Sequence, residues 1–286
     1  MIKSLGNLFV HPGAFFQDAL KERESLKIPG LIVAVLGIVS AVYAYFVSSP
    51  TAQLMEGIKP GLGALTVVGA LIVGFIGAIV LWILWTEIFF IASLILRKEL
   101  IPGFNREFIG TSLVLSGIFL LILTSILQQR ATATMNTISI ILSLLSLLAF
   151  VVIIASIFIF LSMEKFQRPL EFVGYGYLPQ ILGALLTIIV ALQYLPRVIV
   201  PQITSAAAQD PKMIIDATYA LMHDTAMQEL TQITSVISIV FLLWSANIWI
   251  FGMRGARQLS ERDSALCVGI PVVVFILYII FTMTGI

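Results

Sequence analysis

The chain has 286 residues, of which 59% are hydrophobic and only 11% charged, against about 45–50% and about 25% in a soluble globular domain. The excess apolar content falls in runs of about 20 residues or more, the length that crosses a hydrocarbon layer of about 30 Å. With a net charge of +1 and a mean hydropathy of +1.07, the totals exclude a basic nucleic-acid binder and point to an all-α fold, a polytopic transmembrane helix bundle.

In chain order, the first residues are not a cleavable signal: Gly6, Asn7 and His11 follow Lys3 before any long apolar run begins. Residues 12–26, PGAFFQDALKERESL, read as a short amphipathic helix. Pro12 suits the first turn, Phe16 and Leu20 are four apart, as are Phe15 and Ala19, and Lys21, Glu22, Arg23 and Glu24 are polar. It either lies on the inner membrane surface or docks on the protein's own loops. Residues 1–27 thus form a cytoplasmic amphipathic segment, and 28–286 a transmembrane helical domain.

Seven spans are expected, at 28–48, 66–97, 108–128, 137–162, 176–200, 232–253 and 265–285. The second and fourth are long enough to tilt or protrude. Gly63, Gly69 and Gly74 leave open a separate half-helix over 62–75. With the N-terminus in the cytoplasm of a multi-pass cell-membrane protein, the inner side receives twelve of the 16 Lys and Arg residues and the outer side four. That bias sets the orientation and puts the C-terminus outside. In the outer loop 201–231, Asp210 before Pro211 caps a helix over KMIIDATYALM.

Three hairpins resemble one another: 62–130, 137–200 and 232–286, following a lone first span. Each joins a span to the next through a short basic loop and a small-residue entry. REFIG (106–110) aligns with LEFVG (170–174), and Pro179 and Pro271 both sit early in a span. Stripes of small residues at four-residue spacing mark packing faces between spans: Ala70, Gly74 and Ala78; Gly183, Thr187 and Ala191; Ser139 and Ser143.

Four segments carry a family resemblance: HPGAFFQDAL (11–20), LEFVGYGYLPQIL (170–182), LLWSANIWIFGMRGARQLS (242–260) and ERDSALCVGIPVVVFILYII (261–280). In that order and spacing the chain resembles the Yip domain family, membrane proteins whose eukaryotic members interact with Rab-type GTPases in vesicle traffic. The resemblance implies a non-enzymatic membrane protein. The family's usual five spans make the hairpin 66–128 look like an added unit. The long hydrophilic N-terminal region of eukaryotic members has no counterpart here. The resemblance therefore implies a prokaryotic member and does not specify a GTPase partner for this chain.

Catalytic constellations are missing. There is no phosphate-binding G-x-x-x-x-G-K-[ST] loop and no H-E-x-x-H. His11 and His223 fall on opposite sides of the membrane, and Cys267 is the single cysteine. No histidine or aspartate lies in a predicted span to activate a nucleophile or to form an acid pair. The reading is non-enzymatic, without metal or cofactor.

One residue resists that reading. Glu87, in LWILWTEIFFIA (81–92), lies ten residues from Arg97, about 15 Å from the span's end at 1.5 Å per residue. An ionised acid at that depth costs several kcal/mol or more, so a protonated, hydrogen-bonded carboxyl is expected. Ser116, Ser156 and Asn247 lie at comparable depth and complete a candidate intramembrane polar cluster, with Trp82 and Trp85 able to cover it. Two functions follow. One is a scaffold or membrane-organising protein whose partners are the lipid bilayer, other membrane proteins or its own copies, with Glu87 as interhelical glue. Its contact surface would be residues 1–27 and loops 97–107, 163–175 and 254–264. The other is a small-solute or ion-coupled transporter built around Glu87, which requires a mid-membrane cavity lined by that cluster.

Overall fold

The structure, a computed structural model, describes residues 2–100, 105–131, 136–203 and 210–284. Among them are eleven α-helices and no strand: α1 (Ile2–Val10), α2 (Pro12–Ala19), α3 (Lys27–Ile58), α4 (Leu62–Leu96), α5 (Arg106–Ala131), α6 (Asn136–Leu161), α7 (Glu164–Tyr175), α8 (Leu178–Tyr194), α9 (Pro211–Met222), α10 (Thr225–Arg257) and α11 (Glu261–Thr284). The all-α bundle is as the sequence predicts. Helices α3, α4, α6, α8, α10 and α11 are long and apolar enough to cross a membrane. The 26-residue α5 occupies the third predicted span, 108–128.

Two boundaries differ from expectation. The first span does not stop at 48 but runs through Pro50 to Ile58, 32 residues or about 48 Å. The half-helix over 62–75 does not exist separately, because α4 is continuous for 35 residues. The joint between α3 and α4 is tight and polar. Gly61 adopts φ +90, a left-handed conformation that suits glycine. The Glu56 carboxylate accepts from the backbone N–H of Gly61 and of Gly63, each at 3.0 Å. It thereby supplies an anion to the first turn of α4.

Helices α3, α4, α11, α10 and α8 pack in a ring, each on the next and α8 back on α3. Small residues let the walls approach. A Cβ at Gly74 would lie 2.7 Å from Ala41 Cα, and one at Gly183 would lie 2.9 Å from the Phe241 ring. Thr187 and Ala191, on the same stripe as Gly183, are buried. Helices α5 and α6 pack chiefly on each other outside this ring, touching α4 and α7. Gly117 admits Ile153 there, and Ser146 Oγ donates to Thr124 Oγ1 at 3.0 Å. Ser143 is exposed, and Ser139 lies among residues whose side chains are not described. The packing units thus differ from the sequence repeats: α4 pairs with α3 and α5 with α6, while α10 pairs with α11 as the third hairpin predicts. The peripheral unit is α5–α6, whereas α4 belongs to the ring.

The segment 163–175, expected as an exposed basic loop, is instead the helix α7. Its residues 169–175 are all buried. It lies under one end of the ring, against α3, α4 and α10. At the same end α2 docks on the protein itself: Phe16 packs on Phe172 with ring centroids 4.8 Å apart, and Phe15 on Tyr175 at 5.1 Å. At the opposite end α9 begins at Pro211, with Asp210 Oδ1 accepting from Lys212 N at 2.9 Å.

Candidate functional site

The segment LEFVGYGYLPQIL closes one end of the ring. Two tryptophans from different ring helices hold it. Trp82 of α4 donates its indole N–H to Leu170 O, and Trp249 of α10 donates to Val173 O, both at 2.8 Å. Those carbonyls belong to the last turns of α7, where a helix lacks intrahelical donors for its final C=O groups. Val173 O also accepts from Gly176 N at 3.0 Å, so the Trp249 indole adds a second bond to that carbonyl with its only donor. The glycines follow from this approach. A Cβ at Gly174 would lie 2.6 Å from Pro29 Cβ and 3.1 Å from the Trp82 ring. A Cβ at Gly176 would collide with the Trp249 indole. Tyr177 then packs on Trp249 at 5.5 Å, and Pro179 opens α8. The sequence assigned Trp82 to Glu87. The structure corrects this, because its N–H is committed to Leu170. Trp85 packs between Trp249 and Phe275, at 5.6 and 5.5 Å.

Charged groups ring the same end. Arg168 binds Glu171 at 2.9 Å and donates to Glu22 O, tying α7 to the chain after α2. Burial pushes the Glu171 carboxyl above its ordinary value, outweighing the neighbouring guanidinium. The Tyr175 phenol is pushed up to about 12, first by burial and then by the nearby Glu171 and Glu22 charges. Helices α4 and α10 both end in left-handed turns, at Lys98 (φ 55) and Gln258 (φ 51). Each is closed by a return bond, Glu99 N to Leu94 O and Leu259 N to Arg254 O. This places Arg257 between the two ends. It pairs with Glu99 at 2.5 Å, donates to Ser93 Oγ at 3.0 Å, and lies over the Phe90 ring at 4.8 Å.

Glu87 is fully buried, facing α6. Ser156 Oγ lies 3.3 Å from its Oε2, and Oε1 has no hydrogen-bond partner among the described residues. The Ser156 hydroxyl is also 2.6 Å from Ile153 O. Of the predicted cluster only Ser156 meets Glu87, while Ser116 and Asn247 stand on exposed faces of α5 and α10. Contact between α4 and α6 is what brings the pair together. Depth along a span does not reveal the direction a side chain faces. Among the described residues no group of three or more His, Cys, Asp or Glu side chains gathers to hold a metal ion.

Inside the ring lies a cavity of about 910 Å³. Its floor includes Trp85, Tyr177 and Trp249, and its wall carries Ser40, Thr187, Thr234 and Ser238. Glu87 and Asn247 do not line it. Sequence reading missed this site. The signal available was the pair of small-residue stripes, whose faces both border the cavity.

The comparisons agree with this architecture. The model of the Yip1 domain matches residues 6–106 and 96–283. An uncharacterized protein of Methanocaldococcus jannaschii is 26% identical over 191 residues, covering 67% of this chain and 90% of its own length. No solved structure matches. By the extent of the family match and by its helices, the chain is an integral membrane protein that belongs to the Yip1 domain family.

Proposed function

We propose that the protein is a non-enzymatic, membrane-organising scaffold that binds other membrane proteins, lipids or its own copies, oriented with the α7 end toward the cytoplasm. The observation that carries this reading is the separation of the buried acid from the cavity. A coupled transporter sets polar groups around its site, yet Glu87 is sealed against Ser156 and does not border the space inside the ring. Glu87 acts as interhelical glue. Ser156 has one hydroxyl proton, and the shorter contact, to Ile153 O, takes it. The Glu87–Ser156 bond is then made by the acid's own proton, donated from a neutral carboxyl to Ser156 Oγ.

The contact surface for partners lies at the α7 end. Burial removes residues 169–175 of α7 from that surface. The exposed charged groups Lys21, Glu22, Arg23, Lys165, Arg254 and Arg262 remain, and the basic ones attract anionic headgroups. The test is photo-crosslinking in the native membrane from a reactive residue at Arg262 or Lys21, followed by mass spectrometry. Capture of membrane proteins or of a second copy is expected. Monomer alone from both positions overturns the scaffold reading.

A further inference from the structure

The cavity has the dimensions and chemistry of a binding site. Its volume of about 910 Å³ is near the top of the range of about 300–1,000 Å³ for ligand pockets. It extends along α3 from Leu36 to Thr51, about 22 Å at 1.5 Å per residue, which is long for a compact solute. No Asp, Glu, Lys, Arg or His lines it.

Its hydroxyls contribute less polarity than their number suggests. Thr187 donates to Ala184 O, Thr234 to Leu230 O and Ser238 to Thr234 O, each at 2.8 Å. These are bonds back to each residue's own helix. The Gln180 amide donates to Ser245 Oγ at 3.1 Å. Ser40, Tyr43, Thr51 and Ser235 also line the wall, which presents chiefly carbon with scattered hydroxyls. One group departs from this pattern. Tyr177 is 4% exposed, and its hydroxyl is buried without a hydrogen-bond partner among the described residues. Its ring lines the cavity floor, but the hydroxyl oxygen itself is closed off from that space.

The side of the ring is open. Helices α4 and α11 meet where Cys267 Sγ donates to Phe89 O at 3.0 Å and where Trp85 packs on Phe275. Beyond Val272, α11 has no buried residue through Met283. The cavity-lining Val73 and Leu81 of α4 are 70% and 47% exposed. The gap faces the level of the hydrocarbon layer.

We propose that the cavity holds an uncharged long-chain lipid, which enters sideways between α4 and α11. This rests on the membrane reading above only in that the ring is embedded in a bilayer, and it names a lipid class for one place in it. The dispersion contacts of the chain replace those an empty space would forfeit, and the neutral lining excludes a charged headgroup from the interior.

The test uses the full chain in phosphatidylcholine vesicles with diazirine-bearing octadecanol, followed by peptide mapping. Two variants accompany it. A Cβ at Gly77 meets no atom within 4 Å, so Gly77→Trp fills the lateral opening without a backbone clash. Tyr177→Phe removes only the unpartnered hydroxyl. Labelling is expected to concentrate on the cavity-lining peptides and to fall at least fivefold in Gly77→Trp, while the exposed Phe119 and Phe158 are labelled as before. Unlabelled octadecanol competes and octadecyl sulfate does not, and Tyr177→Phe, whose lost hydroxyl is closed off from the cavity, leaves that competition unchanged. Lining peptides labelled no more than Phe119 and Phe158, or equal competition by the sulfate, overturns the proposal. None of these results bears on partner capture at the α7 end, so the two readings fail separately.

Discussion

Trp249 donates its indole N–H to Val173 O at 2.8 Å, and the same indole fills the space that a side chain at residue 176 would need. One residue of α10 therefore fixes both the end of α7 and the identity of the glycine that follows it. Gly176→Ala forces the indole aside and is expected to cost about 3 kcal/mol, the upper part of the overpacking range. Trp249→Phe keeps an aromatic ring but removes the side-chain bond to Val173 O, which retains Gly176 N as a donor, at about 0.5–1.5 kcal/mol. Thermal unfolding of the detergent-solubilised protein measures both. A Gly176→Ala variant as stable as wild type would sink this account of the glycine.

Glu87→Gln retains a donor for Ser156 Oγ and is expected to stay within about 0.5 kcal/mol of wild type, whereas Glu87→Leu loses about 1 kcal/mol with that bond. The comparison is again thermal unfolding, paired with growth of cells carrying each variant. A folded Glu87→Gln protein with a lost phenotype would restore the transporter reading.

Arg257 has three partners on α4 and the turn after it: Glu99, Ser93 and the Phe90 ring. Removing one member of a buried pair costs about 3–5 kcal/mol. The Glu99 side chain is 32% exposed, so water offsets part of that, and Arg257→Ala is expected to cost about 2 kcal/mol. Arg257→Lys cannot reproduce the forked geometry and should recover less than half of the loss. Full recovery by lysine would mean that charge alone matters there.

Glu171 gives the stability a pH signature. Its carboxyl is held above the ordinary value, chiefly by burial against the opposing pull of Arg168. A proton is therefore bound more tightly in the folded state than in the unfolded one. That contribution is fully present below the unfolded-state value and is lost as pH rises through the folded-state value. Relative to Glu171→Gln, wild type should become progressively less stable across that interval as pH increases. A difference that is flat or grows in favour of wild type contradicts the assignment.

Much of the bundle was legible in one dimension. Long apolar runs located all seven long helices, because a backbone in oil must satisfy its own hydrogen bonds. Asp210 before Pro211 marked the start of α9, since a capping acid and a first-turn proline act within one turn. The stripe containing Gly74 marked where α4 approaches α3. The helix α7 was not legible. Its residues are polar enough to read as a loop, and its burial depends on Trp82, Pro29 and Trp249 from three other helices.

The sequence by itself determined that this chain lives in a bilayer, which long segments are helical and which faces can approach closely. These are local properties of composition, capping and four-residue spacing. Tertiary structure alone decided that α4 pairs with α3 rather than with α5, that Glu87 finds Ser156 and not Asn247, and that five spans pack around a cavity. Apolar helices share nearly interchangeable surfaces, so their order around a ring is set by the shape fit of particular glycines against particular rings. That fit exists only between residues distant in sequence.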